Sequence, residues 1–128
     1  MSFPEKKRGF ARLFPAFLFS LQGLRQAWPE PAFVFESWIA LVLYPLAFFI
    51  GNTWLEVSVL CASVTAVLVV ELLNTSIESA IDRVGPQWHP LSKRSKDLGS
   101  AAVFLSLLLC ACIWLAAVFS SLRAHYFY

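Results

Sequence analysis

The chain has 128 residues, 59% of them hydrophobic and only 14% charged, with a formal net charge of +2 and a mean hydropathy of +0.67. A soluble domain carries about 25% charged residues, so the composition excludes an ordinary soluble enzyme and points to a membrane protein. No nucleic acid is expected as a partner.

Taken in chain order, Lys6-Lys7-Arg8 is followed by a short apolar run that contains Pro15 and ends at Arg25. It has no small-residue cleavage site, so the N-terminus is expected to be retained. Leu13 to Leu24 is too short to span a bilayer and suits an amphipathic helix lying in the interface, with Pro15 tolerable only in its first turn. Trp28-Pro29-Glu30-Pro31 turns the chain, because neither proline can donate inside a helix and each restrains the residue before it. Residues 1–31 are thus read as an interfacial helix and turn.

Three transmembrane helices are predicted beyond it, at 32–50, 55–84 and 98–122. Ser37 to Leu55 and Leu98 to Leu122 are free of basic and acidic residues, and about 20 apolar residues cross a hydrocarbon layer of about 30 Å. Pro45 predicts a kink in the first span. The third helix is expected to start beside Asp97, whose charge suits a helix N-terminus. The fold class is therefore an all-α membrane protein in one domain.

Of the ten basic residues, Lys6, Lys7, Arg8, Arg12 and Arg25 precede the first span, and Arg83, Lys93, Arg94 and Lys96 lie between the second and third. Only Arg123 is left for the other side. The positive-inside rule then predicts a cytoplasmic N-terminus and a cytoplasmic Gly85–Asp97 loop, with the Gly51-Asn52-Thr53-Trp54 turn and the C-terminus outside. Cys61, Cys110 and Cys112 sit in apolar helix without a companion His or acid and read as packing residues.

The second span carries the chemistry. An uncharged run from Val57 to Val70 leads directly into Glu71-Leu72-Leu73-Asn74-Thr75-Ser76-Ile77-Glu78-Ser79-Ala80-Ile81-Asp82. At roughly 100° per residue, Glu71, Asn74, Glu78 and Asp82 fall within about 80° of one another and form one acidic stripe. An acid in a membrane helix is costly and functional by default; the alternative is a polar seam that only sets helix register. The five glycines are isolated, so there is no glycine-rich phosphate loop. Carboxylates, a divalent ion and the facing Lys96 are instead the parts that phosphoryl transfer uses.

Glu71-x-x-Asn74-x-x-Ile77-Glu78-x-x-x-Asp82-Arg83, then His89, then Lys96-Asp97-Leu98-Gly99-Ser100-Ala101-Ala102-Val103, resembles the prokaryotic integral-membrane diacylglycerol kinase family. Gly9-Phe10-x-Arg12 and Gly23-Leu24-Arg25-x-Ala27-Trp28-x-Glu30-x-Ala32-Phe33 are similar to that family as well, so the likeness runs from about Gly9 to Trp114. Departures fall at Pro15, Phe17, Val34 and Phe35, where the family has smaller or more polar residues.

The resemblance implies ATP- and Mg2+-dependent phosphorylation of diacylglycerol to phosphatidic acid, in the bacterial inner membrane, by a homotrimer whose sites are shared between subunits. It implies that Glu71 is the general base, with Asn74 beside it, and that Glu30 and Glu78 hold the metal. Lys96 would meet the terminal phosphates, while Arg12, Glu36, His89 and Asp97 would surround the nucleotide. Trp28, Phe33 and Ser100 would join Glu71 around the lipid.

Read from the residues alone, Asp82-Arg83 is equally an ion pair or anchor, Lys96 a positive-inside anchor, and His89 an exposed loop residue. Trp38, Trp54 and Trp114 read as interface or packing aromatics. Two other functions fit the composition: an undecaprenol kinase of the same family, and a small proton-coupled exporter. The position of the acids at one end of the span, and the lack of a polar path through the third, weigh against the exporter. A further expectation is that three helices of one chain offer too little interior to bury Glu71, Asn74 and Glu78 away from lipid while also admitting ATP and a lipid hydroxyl, so that the site is completed between subunits.

Overall fold

The computed structural model describes residues 9–127; the side chains of residues 11–12 and 124–127 are outside the described set, and with them the expected nucleotide contact of Arg12. The regular structure among the described residues is all helical, in the order of a 3-10 turn at Gly9–Arg12, α1 (Leu13–Ala27), α2 (Pro31–Ile50), α3 (Trp54–Val84) and α4 (Pro90–Phe127). Helices α2, α3 and α4 are long and apolar enough to cross a membrane.

Pro15 falls at the third position of α1, where its missing N–H removes no helical bond. Apart from Ala27 and the half-buried Pro15, the described side chains of α1 are exposed. Pro31 opens α2, and Glu30 stands at the N-cap without spending its side chain on a capping bond, so that carboxylate remains available. α2 continues through Pro45 to Ile50.

The α2–α3 turn is closed by a reciprocal cap. Thr53 Oγ1 accepts from the Glu56 N–H at 3.2 Å, and Glu56 Oε2 accepts from the Asn52 N–H at 2.7 Å. This is a variant of the Thr-x-x-Glu capping box. At its far end α3 stops at Gly85, whose φ of 145° is one that L side chains rarely adopt.

The third long helix starts earlier than expected. Pro90 takes the first helical position, preorganised by its fixed φ, and Nδ1 of His89 accepts from the Leu91 N–H at 3.2 Å. Asp97 therefore lies two turns inside α4 and not at its positive end. It instead pairs with Lys93 at 2.5 Å.

α3 is the central element, packing against both α4 and α2, whereas α2 and α4 barely meet. The apolar core comprises Ala40, Ala47, Leu60, Val64 and Trp114. Alanines on α2 let its backbone approach α3 closely, as small residues do between membrane helices. Tyr44 and Thr65 share a hydrogen bond of 2.9 Å across the same interface.

Candidate functional site

The Gly85 half of α3 is where the polar groups gather. Glu71 and Asn74 are buried, at 5% and 9% exposure, and Asn74 Nδ2 donates to Glu78 Oε1 at 3.2 Å. The charges of Glu30 and Glu78 both bear on Glu71, and that of Glu71 bears on Glu36. Glu71 thus lies within range of the charges of glutamates at the N-cap of α2, in its second turn and farther along α3, although 41 positions separate Glu30 from Glu71 in the chain.

Burial of the stripe within one chain is partial. A single chain already buries Glu71 and Asn74, because α2 brings Glu36 to one side of α3 and α4 brings Gly99 to another. Glu78 remains half-buried and Glu30 exposed, so the site opens toward the turn that joins α1 to α2.

A cleft of about 630 Å³ lies beside the acidic stripe, between Ser20, Gly23, Ala27 and Glu30 on one wall and Thr75, Ser76 and Ser79 on the other. Composition missed it because small residues in a helix carry no chemical signature. The only usable signal is helical phase: Thr75 and Ser79 follow the stripe around α3 by less than a quarter turn. Neither Trp28 nor Phe33 lines this cleft. Trp28 borders a separate cavity with Leu24, Arg25 and Pro29, and Phe33 is buried at 5% exposure.

The two ends of the candidate set are tied by an ion pair. Lys96 Nζ donates to Asp82 Oδ1 at 2.6 Å, linking α4 to α3 across the Gly85–His89 loop. Asp82 thus pairs with Lys96 and not with its neighbour Arg83. His89 and Ser100 are exposed, and His89 caps α4, so neither is drawn into the glutamate group.

Among the described residues, no three His, Cys, Asp or Glu side chains form a group able to hold a metal ion alone. The donor set nonetheless fits a magnesium ion that arrives with a nucleotide, since Mg2+ is commonly held by one or two carboxylates and completed by phosphate oxygens and water. A buried Glu36 Oε2 without a hydrogen-bond partner marks a place where a cation or donor is wanted.

Three helices long enough to cross a membrane, with Glu71 and Asn74 buried in the second of them, define a helical membrane protein with a polar site inside its bundle. Residues 18–118 match the family model for prokaryotic diacylglycerol kinase. The chain is 42% identical over 110 residues to a diacylglycerol kinase of Haemophilus influenzae, covering 85% of this chain and 93% of the relative. It is 41% identical over 113 residues to one of Helicobacter pylori, covering 87% and 88%, and 38% identical over 117 residues to one of Escherichia coli K12, covering 88% and 93%. The chain belongs to the prokaryotic diacylglycerol kinase family, and with it to the lipid kinases.

Proposed function

We propose that this protein transfers the γ-phosphate of ATP to diacylglycerol, giving phosphatidic acid and ADP, at the cytoplasmic surface of a bacterial inner membrane. The observation that carries the reading is the burial of Glu71 and Asn74 in an apolar helix, with Asn74 bonded to Glu78, beside a cleft that opens between α1 and α3. At 1.5 Å per residue, Glu71 lies about 26 Å along α3 from Trp54, close to the far limit of a hydrocarbon layer of about 30 Å. A lipid hydroxyl at the headgroup level and a nucleotide in water can meet at that depth. The split of basic residues supports a cytoplasmic face there, and the short α1 supports an interfacial position.

In this reading the Glu71 carboxylate takes the proton of the acceptor hydroxyl. The hydroxyl oxygen forms a bond to the γ-phosphorus as the bond from that phosphorus to the bridging β,γ-oxygen breaks, and ADP leaves with that oxygen. Asn74 holds Glu78 in place beside the base. Glu30 and Glu78 would hold Mg2+, which supplies charge screening for the phosphates. Lys96, paired with Asp82, would add a positive charge toward the phosphates, while the family resemblance alone assigns Arg12, Glu36, His89 and Asp97 to the nucleotide. The resemblance assigns Trp28, Phe33 and Ser100 to the lipid, although none of the three lines the cleft.

Assembly as a homotrimer belongs to the same proposal. Its support is the family resemblance and the incomplete pairing within one chain, where Glu36 Oε2 and Asn74 Oδ1 are buried without partners. Co-assembled Glu30→Gln and Glu71→Gln chains should recover activity that neither parent has; hybrids as inactive as both parents, with mixing verified by tag pull-down, would argue for sites within single chains.

Transfer of labelled γ-phosphate from Mg-ATP to lipid by the purified protein in mixed micelles tests the whole reading. Diacylglycerol should be labelled in preference to undecaprenol. Labelling of undecaprenol alone would reassign the acceptor, and labelling of neither would remove the kinase assignment.

A further inference from the structure

Asn74 uses only half of its amide. Nδ2 donates to Glu78 Oε1 at 3.2 Å, while Oδ1 is buried with no hydrogen-bond partner. A buried carbonyl without a donor carries a desolvation penalty, so the bond to Glu78 alone leaves this orientation costly and the packing around Oδ1 must favour it. The neighbour on that side is Gly99 of α4, itself buried. A Cβ built on Gly99 would collide with Asn74 Oδ1 and sit 3.4 Å from Asn74 Cγ. The hydrogen that glycine carries in that place therefore points at Oδ1, a Cα–H···O approach that only glycine permits.

Backbone conformation gives no other reason for this glycine. The positive-φ glycines are Gly9 and Gly85, and Gly99 is in the interior of α4, where glycine is disfavoured relative to alanine. What the chain gains is closeness: bare backbone on α4 lets the Asn74 amide occupy the space of a side chain and turn its nitrogen to Glu78.

We propose that Gly99 is a positioning residue of this site, which by presenting bare backbone to Asn74 fixes the amide orientation that bonds Glu78 and so sets the direction of the Glu78 carboxylate. Its kinetic consequence rests on the lipid-kinase reading above; the contact itself does not. An added methyl at position 99 would push the amide aside, break the bond to Glu78 and leave that carboxylate free to rotate. The effect on turnover would pass entirely through Asn74.

The test is a double-mutant cycle in detergent-solubilised full-length protein, with wild type, Gly99→Ala, Asn74→Ala and the combined variant. Thermal midpoint is read for each, together with kcat and KM for Mg-ATP with diacylglycerol as acceptor. Alone, Gly99→Ala should lower the midpoint and raise KM for Mg-ATP by roughly tenfold, the order of effect seen when a group supporting a metal ligand is lost. In the Asn74→Ala background it should add almost nothing to either, because the shorter side chain has cleared the space. Equal losses from Gly99→Ala in both backgrounds would overturn the proposal. If Gly99→Ala alone fails to accumulate while the combined variant folds, the coupling is supported; if both fail, glycine is needed for some other contact and the proposal falls. Coupled midpoints in a protein that transfers no phosphate would sink the kinase reading and still support the positioning.

Discussion

The two halves of α3 solve the same problem, polar side chains within an apolar helix, in opposite ways. In the Thr53 half, hydroxyls turn back onto their own helix: Ser58 donates to Trp54 O at 2.7 Å, Ser63 to Leu60 O at 2.7 Å and Thr65 to Cys61 O at 2.9 Å. Apart from the unpaired indole N–H of Trp114, the polar groups packed there are satisfied, by these bonds and by the one that Thr65 shares with Tyr44 of α2, and the half serves as scaffold. In the Gly85 half, Glu71 and Asn74 are buried, and although Asn74 bonds Glu78 of its own helix, Asn74 Oδ1 and Glu36 Oε2 of the facing α2 are left without partners. Unpaired buried groups weaken a fold, and a place that tolerates them is where ligands are expected to complete the pairing. The contrast teaches that one helix can divide between holding the bundle together and holding chemistry.

The sharpest way to break this division is Glu71→Gln. It keeps size and hydrogen-bonding capacity while removing the base, so kcat should fall by roughly 10²–10⁴-fold with nucleotide binding largely retained. Binding can be followed by nucleotide protection against thermal unfolding. A variant that keeps a substantial part of wild-type kcat would remove Glu71 from the role of base. Glu78→Gln should act on both parameters, lowering kcat and raising KM for Mg-ATP, because a metal ligand contributes to ground state and transition state alike. An effect on kcat alone would move the metal away from Glu78.

The scaffold half should respond in the other currency. Leu60 is 1% exposed and packs among Ala40, Ala47, Val64 and Trp114, so Leu60→Ala leaves a cavity that small neighbours cannot fill. The cost should be about 2 kcal/mol, the low end for buried Leu→Ala changes, since between membrane helices the loss is mainly of packing contacts. Unfolding in mixed micelles would measure it. Specific activity per folded molecule should stay near wild type, and a large fall in kcat without loss of stability would show that the two halves are not separable.

How far the sequence discloses all this depends on the kind of signal. The long helices are legible because charge-free runs of bilayer length have few other uses, and the stripe of Glu71, Asn74 and Glu78 is legible because acids in such a run demand a reason. The start of α4 is not, since the apolar run begins only at Leu98 whereas the helix is launched by Pro90 and the His89 cap, local features of a polar loop. Nor is the Asp82–Lys96 pair, because Arg83 is the nearer cation in sequence and only the return of α4 shows which one Asp82 meets. The fit of Gly99 against Asn74 is a distance between two helices, and an isolated glycine in a helical pattern gives no sign of what approaches it.

The smallest effect is expected farthest from the glutamates. Thr53 caps α3 by accepting from the Glu56 N–H at 3.2 Å, and Glu56 in turn accepts from the Asn52 backbone at 2.7 Å. Thr53→Ala removes one member of this reciprocal set, and losing such a cap costs about 1 kcal/mol, or less if Glu56 swings to serve the freed N–H groups through water. Thr53 and Glu71 are eighteen positions apart, about 27 Å of helix, and the core around Leu60 and Val64 lies between them. A helix end that frays by one turn has no rigid path to the glutamates as long as that core holds. Thr53→Ala should therefore lower the thermal midpoint slightly while kcat and KM stay at wild-type values. A change in KM for Mg-ATP in this variant would mean that α3 transmits displacement along its whole length, and the separation between scaffold and chemistry would have to be given up.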